Sequence, residues 1–519
     1  MKSSPLLIII GLLVINLIIN QPTNAIDPRF HTYGEMIDEL RYVSLRHPDI
    51  TRIFIIGYTT TNHLPILAMK ISDNPQINED EPKLLYNGMH HACELIGPEI
   101  CLYMINDLVT KYGNDSFITS AINNSEIWVV PMVNPDGNYI DRAQIDTFWR
   151  KNCRDNNGNG IWDPGDGVDL NRNYDFAWSN GNPDPNSREY HGPYPFSENE
   201  TQAIRDLCLS KKFLFDICYH SSKELWEGEA LYFPWRWGNV FSPDNACIKP
   251  IAESTAYRII NDAGSGTYYA IFGQAADGGL ARNWMYYAAG IFSFTIEVSH
   301  TYFPPSYRVD SICQRNLAGA YYLLQRTFGS QITGHVTDSL TNQPLVAEIQ
   351  ILQAYAPPET IAPRTSDSAY GRFYRLLSPG NYTVKILKLG YATESIPNIS
   401  VIAGHPTDLE IKLTLNHINE DRIIPINPNN MNFQVLPSIT NSDNKIEFML
   451  DSESNVNINI FSQNGRLIKT IINKMVPAGA YSFSWNYKDK NGKKVNDGVY
   501  FLKLKTDHFE QTKKLVLTN

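Results

Sequence analysis

The spacing of apolar residues changes once along the chain, near Gln331, and that change limits the architecture more than any other feature. Up to about Ser330, short apolar runs that read as buried strands (Arg52 to Ile56, Lys83 to Tyr86, Glu126 to Val130, Phe215 to Cys218, Phe292 to Val298) alternate with runs of helical spacing (Pro98 to Tyr112, Glu198 to Leu209). That alternation predicts an α/β domain over residues 26–330, a mixed sheet flanked by helices. After Gln331 the helical period disappears. Ile332 to Val336, Ala347 to Leu352 and Tyr382 to Leu387, with a Pro379-Gly380 turn, predict a small β-sandwich over 331–416. Residues 417–430, with two Pro and many Asn, read as a linker. Over 431–519, strict alternation in Val456 to Ile460 and Tyr481 to Trp485, with hairpin signals Asn464-Gly465, Asn491-Gly492 and Asp497-Gly498, predicts a second β-sandwich. A length of 519 residues exceeds one core and agrees with about three domains.

The N-terminus carries Lys2, an apolar run from Leu6 to Ile19, and polar residues ending in Thr23-Asn24-Ala25. This predicts a signal peptide over 1–25 and a secreted or cell-surface protein; the run is short for a bilayer-spanning helix. A net charge of -10 with no basic stretch argues against nucleic acid as partner. All seven Cys lie between Cys93 and Cys313 with no C-x-x-C spacing, which argues against structural zinc or redox chemistry. Export permits disulfides, but an odd count leaves at least one thiol free.

Two stretches, Gly88-Met89-His90-His91-Ala92-Cys93-Glu94 and Cys218-Tyr219-His220-Ser221, offer His91, Glu94 and His220 as a ligand set. Zn²⁺ takes imidazole nitrogen and carboxylate oxygen, and a catalytic site keeps its fourth position for water. Taken alone, H-x-x-E reads first as a pair of satisfied surface or core polar groups rather than a metal site. Its neighbours decide between the two: Asn134-Pro135-Asp136-Gly137, Trp149-Arg150-Lys151-Asn152, Gly167-Val168-Asp169-Leu170-Asn171-Arg172-Asn173 and Phe292-Ser293-Phe294-Thr295-Ile296-Glu297. With these, residues 30 to 330 resemble the zinc carboxypeptidase family that includes carboxypeptidases A, B and T. The H-E-x-x-H pattern of thermolysin-like enzymes is absent.

The resemblance implies one Zn²⁺ per chain on His91, Glu94 and His220, and removal of a C-terminal residue from peptides or proteins by zinc-activated water. It implies Glu297 as general base and then acid, Arg150 as the oxyanion clamp, and Asn171 with Arg172 as the pair that binds the substrate's terminal carboxylate. Two positions depart from the family. Cys93 stands where an Arg often precedes the ligand Glu, and Phe272 falls at the place of a mobile substrate-contacting Tyr. The pocket position after Phe233-Pro234-Trp235 is Arg236, and counting back from Asn283-Trp284 gives Arg282. Two cations facing one pocket imply a preference for C-terminal Glu or Asp.

Asp155, Asn157, Asn159, Gly160 and Asp166 have an EF-hand-like spacing, which reads either as a Ca²⁺ loop or as a metal-free Asn/Gly turn. The first β-module resembles the transthyretin-like module that follows several carboxypeptidases. Residues 446 to 519 resemble the Ig-like C-terminal sorting domains of bacterial secreted proteins, which implies outer-membrane secretion machinery as a partner, with a stalk or spacer as the alternative. Two other functions compete with the main reading: an amidase of the same fold acting on cell-wall stem peptides, and a non-catalytic zinc-binding or adhesive surface protein.

Overall fold

The computed structural model describes residues 27–143, 145–221, 229–237, 240–274, 277–354, 361–415, 433–436, 439–440, 445–450, 453–477, 479–507 and 510–517. The expected signal peptide (1–25) and linker (417–430) lie outside the described residues. One compact unit holds the described residues through Thr337 with Gln343–Ile386 and Ser395–Ile411; the other holds Asp338–Asn342, Leu387–Glu394 and the described residues from Lys412 onward.

The larger unit is built on a mixed sheet of nine strands. In chain order these are β1 (Thr51–Tyr58), β2 (Pro65–Ile71), β3 (Lys83–Gly88), β4 (Glu126–Val130), β5 (Phe215–Ser221), β6 (Ala230–Trp237), β7 (Val240–Phe241), β8 (Tyr269–Gln274) and β9 (Phe292–Val298). They lie in the order β1-β2-β4-β3-β5-β9-β6-β7, with β8 pairing β6. The central neighbours β4, β3, β5 and β9 run parallel, flanked by β2 and β6, which run antiparallel to them, with β1 antiparallel to β2 and β7 antiparallel to β6. β3 and β5 are buried along their whole length, as strands covered on both faces must be.

Helices α1 (Tyr33–Arg46), α2 (Ile96–Lys111), α3 (Ser116–Ile122), α4 (Pro135–Arg142), α5 (Asn199–Lys211), α6 (Asn245–Arg258), α7 (Ala281–Trp284) and α8 (Ser306–Arg326) cover the sheet. Local chemistry fixes several of their starts. Thr32 and Glu35 form a capping box on α1, and Asn134 caps α4 with Pro135 in its first turn. Strand alternation then sorts the core into two layers. Leu84 and Tyr86 of β3 pack with Ile100, Ile105, Ile312 and Leu323 of α2 and α8. Leu85, facing the other way, packs with Ala203 and Ile204 of α5 and with Trp284 of α7.

The segment after α8 forms two three-stranded sheets from β10 (Gln331–Asp338), β11 (Glu348–Ile351), β12 (Arg372–Leu376), β13 (Gly380–Leu387), β14 (Glu394–Val401) and β15 (Pro406–Leu413). The C-terminal strands are β16 (Gln434–Leu436), β17 (Ile439–Thr440), β18 (Lys445–Leu450), β19 (Ser454–Ser462), β20 (Leu467–Val476), β21 (Gly479–Phe483), β22 (Gly498–Lys505) and β23 (Glu510–Leu517), in sheets of three and five strands. Phe448, Ile458, Ile460, Trp485, Leu502 and Leu515 fill their core. Asn464-Gly465 turns β19 into β20 as expected, with Gly465 at φ 78°. Asp497-Gly498 is not a hairpin tip: Gly498 opens β22, whose partners are β19 and β23. An α/β domain followed by all-β material is thus the observed class.

Candidate metal centre and active site

The centre lies where three adjacent parallel strands end. β3 pairs β5 with Gly88 opposite Tyr219, and β5 pairs β9 with His220 opposite Glu297. Parallel strands finish on one edge of the sheet, so His91, His220 and Glu297 meet although they are far apart in the chain. The turn out of β3 is tight. Met89 adopts a left-handed φ of 59°, and a Cβ on Gly88 would sit 2.8 Å from the carbonyl carbon of Gly97 in α2. Any larger residue at 88 would push α2 and the His91 loop apart.

His91 Nδ1 stands 2.8 Å from Glu94 Oε1, His220 Nδ1 stands 2.8 Å from Glu94 Oε2, and the two Nδ1 atoms are 3.0 Å apart. All three residues are buried. What holds the far side of each ring decides its proton. His91 Nε2 faces Asp169 Oδ1 at 3.1 Å, so Nε2–H donates to the carboxylate and Nδ1 presents a lone pair to the centre. His220 Nε2 faces Cys218 Sγ at 3.2 Å and the Asn171 side-chain amide nitrogen at 3.4 Å. Because Asn171 Oδ1 already accepts from Ala281 N–H, only its NH₂ is turned towards the ring, and the sulfur is the acceptor left for His220. The thiol proton then has His90 Nδ1 at 3.2 Å, and His90 Nε2 meets Tyr174 Oη at 2.9 Å. Burial, reinforced by His220 and His91, holds His90 well below its ordinary value, and burial also lowers His220. Two imidazole nitrogens and one carboxylate converge on one point, a donor set that fits Zn²⁺ with a position open.

Arg150 is buried beside this cluster. Its Nε donates to Asp169 Oδ2 at 2.8 Å and its Nη1 lies 3.8 Å from Glu94 Oε1. Although burial opposes its charge, Asp169 and Glu94 raise its pKa above the ordinary guanidinium value. Asp169 was not singled out from the sequence, yet one carboxylate orients both a ligand and Arg150. It also caps the short 3₁₀ turn Leu170–Arg172 by accepting from Asn171 N–H. The sequence signal was its place just ahead of Asn171-Arg172.

A cavity of about 180 Å³ opens from the ligands and is lined by Arg150, Asn171, Arg172, Tyr232, Arg282 and Glu297, among others. Arg172 donates from Nη2 to Glu189 Oε1 at 3.0 Å. Arg282 lies deep in the wall. It is buried, no ion pair among the described residues reaches it, and its Nε has no hydrogen-bond partner. Burial pushes its pKa down to about 10, opposed by Asp277 and Tyr232, so it stays charged at neutral pH. Gly273 makes room for it: a Cβ there would lie 2.1 Å from Arg282 Nη2.

Two residues expected at the pocket are placed elsewhere. Arg236 is exposed and absent from the cavity wall, because the β6/β8 register shifts between Phe233 and Arg236, next to Pro234, and breaks the alternation that Tyr232 begins. Phe272 also lies outside the wall. Gly273 faces Arg282, so its neighbour Phe272 points to the opposite face, where it packs at 4.7 Å from Phe233 and 4.9 Å from Phe241, ring centre to ring centre. In the Asp155–Asp166 loop, Asp155 accepts from Gly158 and Gly160 N–H, Asn157 from Asn159 N–H, and Asp166 from Asn156 and Asp163 N–H. These bonds are those of a self-supporting Asx turn. All seven Cys are free thiols.

Comparison with known proteins gives three family matches: "Zinc carboxypeptidase" over residues 36–319, "Carboxypeptidase regulatory-like domain" over 331–414 and "FlgD Ig-like domain" over 437–508. A zinc carboxypeptidase of Saccharothrix mutabilis subsp. capreolus is 34% identical over 151 residues, 29% of this chain and 33% of that protein. Rat carboxypeptidase A2 is 28% identical over 281 residues, 53% of this chain and 63% of its own. The chain therefore spans from one third to just under two thirds of the length of these relatives. Among solved structures, carboxypeptidase A from Helicoverpa armigera superimposes with a TM-score of 0.51 at 22% identity, covering 61% of this chain and 78% of that one, a likeness of fold.

Proposed function

The chain belongs to the zinc carboxypeptidase family, and we propose that it is an exported metallocarboxypeptidase that removes a C-terminal residue, with preference for Glu or Asp. His91, Glu94 and His220 would hold the zinc, which supplies Lewis acidity and an activated water when bound. Glu297, opposite His220 on the neighbouring strand, takes a proton from the attacking water and returns it to the leaving amine. Arg150, fixed by Asp169, meets the negative charge that develops on the carbonyl oxygen. Asn171 and Arg172 bind the terminal carboxylate.

The acidic preference rests on one observation: Arg282 is a buried guanidinium in the cavity wall, and among the described residues no ion pair reaches it, Asp277 and Glu297 of the same wall acting on it only at longer range. A cation desolvated in this way gains from an anionic side chain, which forms charge-assisted hydrogen bonds, whereas Phe adds no charge and Lys adds a second cation. With Arg236 outside the cavity, Arg282 alone carries the preference. The test compares kcat/KM for matched peptides ending in Glu, Phe and Lys, in wild type and Arg282→Ala. Selectivity for Glu that disappears in the variant supports the reading; a wild-type enzyme that favours Phe or Lys rejects it. Free amino acid released from ordinary peptides, with peptidoglycan fragments left intact, separates the enzyme from a stem-peptide amidase.

The proposal extends to the ends of the chain. Lys2, the apolar run Leu6 to Ile19 and Ala25 support export, and the C-terminal Ig-like strands support sorting at a bacterial surface. N-terminal sequencing of secreted protein, beginning at Ile26, tests the first. Deletion of 431–519, with loss of surface delivery, tests the second. The domain limits are proposed at 330/331, 416/417 and 430/431. The Asp155–Asp166 loop is read as a hydrogen-bonded turn, and a rise in Tm with added Ca²⁺ would reinstate the metal.

A further inference from the structure

The wall that carries Arg282 is one short helical segment, α7 continued by a single π turn over Met285–Ala289. A π turn is uncommon, and here its Tyr286 carbonyl accepts from Gly290 N–H at 3.2 Å and its Met285 carbonyl from Ile291 N–H at 3.2 Å. The segment is pinned at its start by the active site itself, since Ala281 N–H donates to Asn171 Oδ1 at 2.9 Å. Its other end is pinned from the β-rich segment beyond residue 331.

Arg364 supplies that second pin. Its Nη2 donates to the Tyr286 carbonyl at 2.7 Å and its Nη1 to the Tyr287 carbonyl at 3.2 Å, while the guanidinium carbon lies 5.1 Å from the Tyr286 ring centre. Ala362 N–H adds a third bond, to the Tyr287 carbonyl at 3.0 Å. Gly290 ends the π turn at φ 77°, and a Cβ there would lie 2.9 Å from Arg364 Cδ, so the approach of this Arg depends on glycine. The Tyr286 side chain is held as well: its hydroxyl donates to Asp244 Oδ2 at 2.8 Å, and Arg375 Nη2 stands 3.4 Å from Asp244 Oδ1. Two arginines from residues 361–376 thus grip backbone and side chain of the residue four places after Arg282.

We propose that Arg364 is a positioning residue for the substrate pocket, and that the regulatory-like segment sets specificity by holding the Arg282 helix at its far end. This rests on the reading of Arg282 as the specificity residue. A fork of two donors on consecutive carbonyls fixes the pitch of the turn; without it, the Tyr286 and Tyr287 carbonyls each keep only one backbone donor, Gly290 N–H and Ala362 N–H, and the segment relaxes about its Asn171 end. The same seam contains a control. Arg372 makes two bonds of 2.8 Å with Asp80 and does not touch the Arg282 helix. A purely structural role predicts the same consequences for either Arg.

The experiment compares Arg364→Met and Arg372→Met in the full-length zinc enzyme, measuring KM and kcat for peptides ending in Glu and Phe, bound zinc and Tm. Arg364→Met should raise KM for the Glu peptide and lower Glu-over-Phe selectivity on the order of tenfold, one charged contact's worth, with zinc content unchanged. Arg372→Met should lower Tm and leave KM alone. Arg364→Lys, which keeps the charge but cannot fork, should fall between wild type and Arg364→Met and serves if the Met variant fails to fold. Unchanged KM and selectivity in both Arg364 variants, or equal KM changes in Arg364→Met and Arg372→Met, overturns the proposal. If wild type shows no preference for Glu, the acidic reading falls separately, and the clamp is judged by KM for the residue that wild type does prefer.

Discussion

Replacing Asp169 by Asn separates the two tasks of one buried carboxylate. Its Oδ1 accepts from His91 Nε2 (3.1 Å) and Asn171 N–H (2.9 Å), and its Oδ2 accepts from Arg150 Nε (2.8 Å). An amide keeps one oxygen, which the first two donors hold in place, and so turns its NH₂ towards Arg150, donor against donor. Breaking a buried ion pair by removing one partner costs about 3–5 kcal/mol. Glu94, 3.8 Å from Arg150 Nη1, offsets part of that, so the expected loss of stability is ~2–3 kcal/mol. Zinc feels the other half. With a neutral oxygen behind His91 the ring donates less strongly, and changes to such supporting groups weaken metal binding by roughly 10–100-fold. The retained acceptor places Asn near the lower figure. Zinc affinity from chelator competition and Tm of the apo and zinc forms measure both effects. A zinc affinity within about twofold of wild type, with Tm lowered, would refute the claim that Asp169 orients His91 and leave it only the Arg150 pair.

Glu297→Gln should retain zinc by metal analysis while kcat falls at least ~10²-fold, the usual contribution of proton transfer; near wild-type turnover removes Glu297 from that role. Cys218→Ala deprives His220 Nε2–H of its acceptor and should weaken zinc binding by roughly 10-fold or more, with Cys218→Ser restoring most of it, read by the same chelator competition. Burial raises the Asp216 carboxyl to about 7 despite donors from Ser293 and Asn87. A folded-state value above the unfolded one means that the native protein holds the proton more tightly, so this stabilisation is present below about pH 4 and is lost as pH rises through 7, by at most ~1.4 kcal/mol per pH unit. Asp216→Asn should therefore flatten the fall of Tm between pH 4 and 8; an unchanged slope shows that other groups set it.

Local spacing and strand ends carried the chemistry of this chain. His91 and Glu94 sit three residues apart in one loop, and Glu297 ends a run whose apolar character makes it a central strand, so their placement was legible without coordinates, while the roles expected of them came from the resemblance of the flanking motifs. The change of period at Gln331 likewise announced α/β followed by β, because side-chain alternation is written residue by residue. Specificity was not legible in the same way. Arg236 and Arg282 look equivalent in sequence, but a register shift beside Pro234 turns one to solvent, while Gly273 opens a slot for the other. Phe272 was assigned to the pocket by position and lost it to the strict two-residue alternation of β8. Asp169, Cys218 and Arg364 act through partners distant in the chain, and their roles follow only once register, bulges and close approach have fixed which face meets which. A sequence determines what each segment can be; a one-residue change in register decides which of its side chains enters the site.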